Sequence, residues 1–582
     1  MNKELVQDDL FLKKTYGRAL VPCVLSILSG NINLLADGMI VGQYIGPDAL
    51  AAVSLCVPVY LILCILGSFF VSGTAICAAQ AAGSGRMDEA QRYCGEAAAL
   101  CLTASAVVTV LGLLFLDPVT AFLCRDPALS GDVKAYAGIT IAGALPKILL
   151  YLPFWFLRLD GKNRSITAMM LIMSLGNIVL DLVLVCGMGQ GVAGASLASV
   201  ISTLVAVVFG LVRLYGGKGN FRAALAMPGS VKEVRNIAAA GSPAALNNGF
   251  QTLRVLTVNS LLMEYSGSGA VAVFAAVNGI SAFAECVLSG IPQAASALLG
   301  NFAGEKDRGS TVLLMRIQWR AGAAIGILFS AVIILCAPVL GGAYGLEVPF
   351  YFPMVCLALS IFPALVCTVF SGYYNASGHS GWADGIIFLR VFLFPAVILY
   401  LLLKTGSSPW LFLPVGEAAT LLTWWTVFAV GYGQNGSGGR FLRFQEDGES
   451  AFSFSVKGRN EIICEASGKV MEFGKSRPDI PNRQVVRLSL ALEELMTFLI
   501  GYNGDGEILF DIRICFRNGG ASMTLRYSGS GMNPFSELPP SEKEGDLSVG
   551  DGRTMGVAMV KKMAKHVDYQ NIFGMNILRL EI

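Results

Sequence analysis

The sequence predicts an all-α polytopic membrane protein of twelve transmembrane helices in two six-helix bundles, followed by a small α+β domain. Three observations predict it. Of 582 residues, 54% are hydrophobic and 14% charged, with a mean hydropathy of +0.63, whereas soluble domains carry about a quarter charged residues. Apolar windows of about 20 residues, the length a helix needs to cross a bilayer, recur along the first three quarters of the chain. At GYGQNGSGGRFLRFQEDGES the apolar runs give way to Gly, Ser and charge, as in a linker.

The spans fall near 17–45, 51–80, 93–116, 134–157, 165–188, 190–213, 237–264, 268–302, 317–341, 350–375, 384–404 and 408–433. Basic residues mark alternate loops: Lys13, Lys14 and Arg18 before the first span, Arg86 and Arg92 after the second, Arg158, Lys162 and Arg164 after the fourth. Arg213, Lys218, Arg222, Lys232 and Arg235 follow the sixth, and Lys306, Arg308 and Arg316 the eighth. The intervening loops carry little beyond Arg125, Lys134 and Lys404, so both termini are expected in the cytoplasm. The polar, acidic start MNKELVQDDLFLKKTYGR does not read as a cleaved signal peptide.

An internal repeat shows in the loops. GSGRMDEAQR resembles GEKDRGSTVLLMR and FLRLDGKNRS resembles YYNASGHSGW, each pair about 220 residues apart. Two halves of six helices each run the same way through the membrane and enclose a central cavity. The expected boundaries are 1–220 and 221–435 for the two lobes, 436–450 for the linker and 451–582 for the cytoplasmic domain. In that domain AFSFSV, EILFDIRICF, ASMTLRYS and the segment ending NILRLEI read as strands. NEIICEASGKVMEF, VVRLSLALEELMTFLIGY and GVAMVKKMAKHV read as helices.

Fourteen cysteines form no CxxC and no Cys/His spacing suited to a metal, and read as small packing residues. A net charge of +2 with no basic block gives no sign of a nucleic-acid partner. His379 and His566 are expected to be solvated, the first in a loop and the second on a helix face.

Asp37 and Asp181 are the most informative residues, because a carboxylate inside an apolar run costs about 2.5–3.5 kcal/mol on the insertion scale and marks an ion, proton or substrate path. Asn177 stands four residues before Asp181, on the same helix face. Ser199 lies in the small-residue run GVAGASLASVIS, which permits close helix approach. Asn31 and Asn33 precede Asp37. Together they describe a polar pocket in the first half where a carboxylate can take up and release a proton; the alternative for either aspartate is a hydrogen-bonding role near a helix end. In the second half the carboxylates are Glu264, Glu285 and Glu417, of which only Glu285 is deep in its span and a candidate for lining the cavity. Arg254 and Arg390 are the main basic residues within spans.

NLLADGMIVGQYIGPDALAAVSLCVP resembles the first-helix signature of the multidrug and toxic-compound extrusion (MATE) family. The GSGRMDEAQR loop and RLDGKNRSITAMMLIMSLGNIVLD are similar to its later landmarks, so that the resemblance covers roughly 1–435. It implies a secondary antiporter, not an enzyme, that exports amphipathic or cationic small molecules from a bacterial plasma (inner) membrane. Similarity to the proton-coupled DNA-damage-inducible-F group implies a coupling site on Asp37, Asn177, Asp181 and Ser199, while Asn33 and Glu285 are cavity candidates from their places in the spans. Ser199 stands where the family often has Thr, and keeps the hydroxyl. No acidic cluster like that of sodium-coupled relatives is apparent in the second half, which favours protons over Na+ as the coupling ion.

LSLALEELMTFLIGY, RYSGSGMNPF and GRTMGVAMVKKMAKHV resemble, in order, the N, G1 and G2 boxes of the Bergerat-type ATPase fold, most nearly the serine kinases that act as anti-sigma factors. The boxes are eroded. Phe498 stands four residues after Glu494, where the family has its magnesium-binding Asn, and Tyr527 stands where it has the adenine-reading Asp. Gly529, Gly531, Gly552 and Gly556 remain, and glycines alone can serve turn geometry. The expectation is a degenerate domain with no catalytic residue, no metal and no cofactor, that regulates transport or binds a cytoplasmic regulatory protein. Two other functions fit the class: a flippase for a lipid-linked or polysaccharide precursor, which needs a basic cavity, and a membrane-anchored kinase or sensor, which needs intact nucleotide boxes.

Overall fold

The structure, a computed structural model, describes residues 10–124, 127–216, 219–221, 225–343, 351–431, 450–476, 481–504, 508–517, 520–529, 532–537, 552–572 and 575–582. Two compact units emerge: one is Arg18–Leu442, the other joins Met1–Gly17 with Arg443–Ile582.

The larger unit is helical. In chain order the helices are α1 (Leu10–Tyr44, its start in the other unit), α2 (Pro47–Gly83), α3 (Met87–Leu114), α4 (Leu116–Leu123), α5 (Pro127–Ala142), α6 (Ala144–Leu149) and α7 (Tyr151–Leu159). Then come α8 (Asn163–Asp181), α9 (Gly191–Tyr215), α10 (Val231–Gly304), α11 (Arg308–Ala343), α12 (Tyr351–Ala376), α13 (Ser380–Ile387), α14 (Phe394–Thr405) and α15 (Phe412–Gly431). Single π-helical stretches, Leu182–Gly187 and Phe388–Leu393, follow α8 and join α13 to α14. Among the described residues, each of the twelve expected spans is largely helical. Among the described residues, eight helices are long and apolar enough to cross a membrane, or nine with the pair Leu129–Ala142 and Ala144–Leu159, which meet at 54°.

Two breaks explain the segmentation. α10 holds two expected spans, and its helix is interrupted at Gly267, whose φ of 80° and ψ of −178° suit only a residue without a Cβ. The bend after α5 falls at Gly143, where a Cβ would stand 2.3 Å from the Val200 side chain. Helix-interior prolines such as Pro22, Pro58 and Pro363 are tolerated in apolar helices whose freed carbonyls neighbouring groups re-satisfy.

Burial separates inner from outer helices. The apolar windows of Ala276–Gly304 and Tyr351–Ala376 are 72% buried, against 22% for Arg308–Pro338 and 28% for Met87–Leu114. Exposed side chains on the outer helices, such as Leu111, Leu114 and Leu335, are apolar, which lipid tolerates and water does not. The inner contact between α2 and α10 is made of backbone on backbone. A Cβ at Gly83 would lie 2.2 Å from the Asn301 carbonyl and one at Gly304 2.2 Å from the Gln80 carbonyl. Small residues permit such approach, and it supplies the packing that drives helix association in lipid.

The two halves repeat their loops bond for bond. Ser84, Gly85 and Arg86 donate backbone N–H groups to the carbonyls of Gln80, Ala82 and Ala81; Glu305, Lys306 and Asp307 donate to Asn301, Ala303 and Phe302. Gly85 and Lys306 both sit at positive φ, 78° and 55°. Asp160, Gly161 and Lys162 bond Phe156, Arg158 and Leu157 as Ser377, Gly378 and His379 bond Tyr373, Asn375 and Tyr374.

The smaller unit is α+β. Strands β1 (Ser450–Lys457), β2 (Leu509–Arg517), β3 (Gly520–Tyr527), β4 (His566–Ile572) and β5 (Met575–Glu581) form one antiparallel sheet in the order β1-β2-β3-β5-β4. Helices α16 (Ile463–Lys475), α17 (Asn482–Asn503) and α18 (Gly552–Met563) accompany it. Leu488, Leu492, Leu495 and Leu499 of α17 share one buried cluster with Phe510, Ile512, Ile514, Met523 and Leu525, the helix period meeting the strand period. On the alternate positions Arg526 pairs with Asp511 at 2.6 Å, and Ser455 donates to the same carboxylate at 2.7 Å. His566 is not on a helix face as the sequence suggests. It opens β4 opposite Glu581, because α18 ends at Met563 and the pairing with β5 takes the chain over.

The α2–α10 contact has a direct test. Gly83→Val and Gly304→Val should each lower the thermal midpoint of the purified protein by several degrees or prevent its monodisperse recovery, since overpacking costs about 1–3 kcal/mol. Gly131→Ala, at a position with open space around the would-be Cβ, should melt as the parent does. Unchanged melting of both valine variants would mean the two helices are not in backbone contact.

Candidate functional site

In the first half Asn177 and Asp181 lie on α8. Asn177 and Asp181 are both fully buried. Among the described residues neither the amide oxygen nor the amide nitrogen of Asn177 has a hydrogen-bond partner. A buried unmade hydrogen bond costs about 1–3 kcal/mol. Asp181 ends α8, and the next residue begins the π-helical stretch Leu182–Gly187. Such local widening of a helix recurs at functional sites. It redirects the backbone beside the carboxylate. The side chains of Asn33 and Asp37 on α1 lie outside the described residues.

Ser199 on α9 is held by a residue the sequence reading did not single out. Lys147 of α6 is 7% exposed, and its Nζ donates to Ser199 Oγ at 3.0 Å and stands 5.1 Å from the centre of the Tyr60 ring. An ammonium buried in an apolar span needs such acceptors and ring faces. The lone Lys in ALPKILLYLPFW is the signal that could have found it. Nearby, Thr140 and Ser196 hydroxyls are 2.9 Å apart, extending a polar seam between α5 and α9.

The second half carries a cluster of ions. Arg390, 6% exposed, lies in the π-helical stretch Phe388–Leu393. Its Nε donates to both Glu417 oxygens at 3.0 Å, and its Nη2 donates to Glu285 Oε1 at 2.5 Å. Glu285 and Glu417 line one cavity together with Arg254, Asn278 and Ser281. Asn278, Ser281 and Glu285 are spaced along one face of α10. Both carboxylates are thus engaged by an arginine. Glu264 is exposed. Among the described residues no group of three or more His, Cys, Asp or Glu side chains is arranged to hold a metal ion.

In the smaller unit, Phe498 is 6% exposed and Tyr527 0%, both within the core cluster. The Tyr527 hydroxyl donates to the Met532 carbonyl at 2.7 Å, and burial pushes its phenol well above the usual tyrosine range. Glu494 is half-buried against α18: a Cβ on Gly556 would stand 1.8 Å from its Oε2. Gly529 has φ 127°, and a Cβ there would meet Asn503 Oδ1 at 2.4 Å. Gly552 opens α18, and Gly531 lies outside the described residues. The two positions where the resemblance expects a metal ligand and an adenine-reading carboxylate hold buried rings.

Comparison with known proteins agrees with the larger unit. The MatE family model matches residues 22–183. A FAD transporter of Shewanella oneidensis is 27% identical over 323 residues, 53% of this chain and 70% of that one. The probable multidrug resistance protein YoeA of Bacillus subtilis is 26% identical, over 51% of this chain and 66% of its own length. The multidrug export protein MepA of Staphylococcus haemolyticus is 24% identical, over 50% and 63%. Among solved structures, an outward-facing multidrug resistance MATE family transporter of the MOP superfamily superposes with a TM-score of 0.67 at 20% identity, over 73% of this chain and 97% of that one. A MOP superfamily transporter from Pyrococcus furiosus, described as having a binding pocket of reverse polarity, superposes with a TM-score of 0.66 at 19% identity. The structural matches give the fold, and the three comparisons together support a MATE family transporter.

The tail's rings are separable from any nucleotide. Tyr527→Asp should lower the melting temperature, because it buries an unpaired carboxylate in a core position. Neither the parent nor this variant should show a melting shift with Mg–ATP. A magnesium-dependent upward shift in the parent would mean that the nucleotide site is intact.

Proposed function

We propose that this MATE-type secondary transporter exports small organic molecules from the bacterial cytoplasm in exchange for protons, with Asp181 and Asp37 as the proton-carrying groups and Asn177 and Ser199 beside them. One observation carries the reading: Asn177 and Asp181 are fully buried one turn apart, deep in an apolar helix that turns π-helical at the carboxylate. A buried carboxylate is stable in its neutral form and charges only when a path to water or a counter-charge is available. Alternating access supplies that path on one side of the membrane at a time.

Lys147 favours the proton over sodium. Its ammonium already occupies the Ser199 hydroxyl that would serve as a sodium ligand, and a fixed positive charge repels a second cation. In the other half, both cavity carboxylates are taken up by Arg390. The relatives described as FAD transporter and multidrug export protein suggest organic molecules with apolar bodies, amphipathic cations among them. The C-terminal unit, with its nucleotide-reading positions filled, is assigned a regulatory role on the cytoplasmic side, alone or through a partner protein.

In proteoliposomes with an imposed pH gradient as the only energy source, Asp37→Asn and Asp181→Asn should each reduce ethidium export to background. Both variants should still be recovered folded. Replacing sodium by potassium should change the parent's rate by less than about twofold. Parent-level export in both variants, or a strict sodium requirement, would contradict the assignment.

Removal of residues 451–582 should alter the rate or the regulation of ethidium export without removing it. Complete loss of export, with the truncated protein folded and in the membrane, would make the tail part of the transport machinery.

A further inference from the structure

We propose that the second-half cavity is a subsite for an oxyanion group of the transported molecule, a carboxylate or phosphate, gripped by the Arg254 guanidinium. The inference rests on the transporter reading above and adds a substrate chemistry to it.

The charges in this cavity are unequally satisfied. Arg390 is ion-paired with two carboxylates through three hydrogen bonds. Arg254 lines the same cavity, yet among the described residues it makes no hydrogen bond and has no carboxylate within ion-pair distance, and its buried Nε has no acceptor. Glu285 and Glu417 act on it only at longer range. Guanidinium offers five donors in a fixed fork that matches a carboxylate or phosphate bidentately. Leaving it unmatched in an apolar span is costly. A group that arrives with the substrate would satisfy it.

The dimensions and lining fit one such group. The cavity holds about 40 Å³, room for a few waters and hence for one small polar group rather than a whole drug-sized molecule. Asn278 and Ser281 stand on its α10 wall and offer further donors, while Phe274, Leu357 and Phe412 give an apolar surround for the adjoining part of the molecule. The Arg390 triad holds Glu285 and Glu417 in place, bonding both Glu417 oxygens and Glu285 Oε1. A simple ion-pair role for Arg254 would place it on one of those carboxylates, where it is not.

The test is calorimetric binding to the full chain in neutral detergent, with no gradient, so that it is independent of proton coupling. The probes are 2-naphthoate and 2-naphthylmethylammonium, which share a body and differ in charge. The parent should bind naphthoate. Arg254→Met should weaken naphthoate about tenfold or more, the usual loss for a charge-assisted bond, and Arg254→Lys should weaken it less. The ammonium should be unaffected in both variants, which shows that the fold survives. Displacement of naphthoate by phosphatidylglycerol would identify a lipid headgroup as the oxyanion source, and indifference to it a free organic anion; either keeps the oxyanion site. Absence of naphthoate binding to the parent, or equal weakening of both probes in Arg254→Met, would overturn the proposal. The coupling assignment fails or stands separately, through the export of ethidium by the Asp181→Asn variant.

Discussion

The energetic problem this protein solves is the burial of ionic and amide groups in helices that otherwise suit hydrocarbon. Each such group costs several kcal/mol unless it finds a partner, and each half of the larger unit meets the cost differently. In the first half, Lys147 leans on Ser199 and Tyr60, while the buried Asn177 amide has no hydrogen-bond partner among the described residues. In the second, Arg390 draws two glutamates around itself and Arg254 faces a cavity.

Geometry of the backbone follows the same division. Asp181 and Arg390 each stand at a π-helical stretch, one at its threshold and the other within it. A π turn inserts an extra residue per turn and swings the following side chains around the axis. The glycine contacts between α2 and α10 provide the rigid counterpart. The loops on either side of the repeat match bond for bond.

Much of this was legible in the sequence, and for stated physical reasons. Apolar length fixes where helices run, and the break at Gly267 falls between two expected spans because only glycine adopts that φ and ψ. The i, i+4 spacing of Asn177 and Asp181 already put them on one face. The repeat was visible because its loops reuse the same turns, at Gly85 and Lys306 and at Gly161 and Gly378. The role of Lys147 was not visible: a single lysine in an apolar run reads as an interruption until α6 bends and brings it to Ser199 on α9. Nor did spacing reveal the Arg390 triad, whose members lie 27 and 105 residues apart. In the tail, Phe498 and Tyr527 read as losses from a motif, and their burial in the core explains what they do instead. His566 was misjudged because helix period continues past Met563 in the sequence, while strand pairing with β5 ends the helix there.

Proton exchange at a buried carboxylate is the central claim, and its most direct measure is proton release on binding. In lightly buffered detergent solution near neutral pH, addition of a saturating organic cation to the purified protein should release protons, followed by a pH-sensitive dye, because the incoming charge stabilises the ionised carboxylate. The account predicts a release approaching one proton per bound cation in the parent and a much smaller one in Asp181→Asn. Tight binding with no proton released in the parent would contradict it.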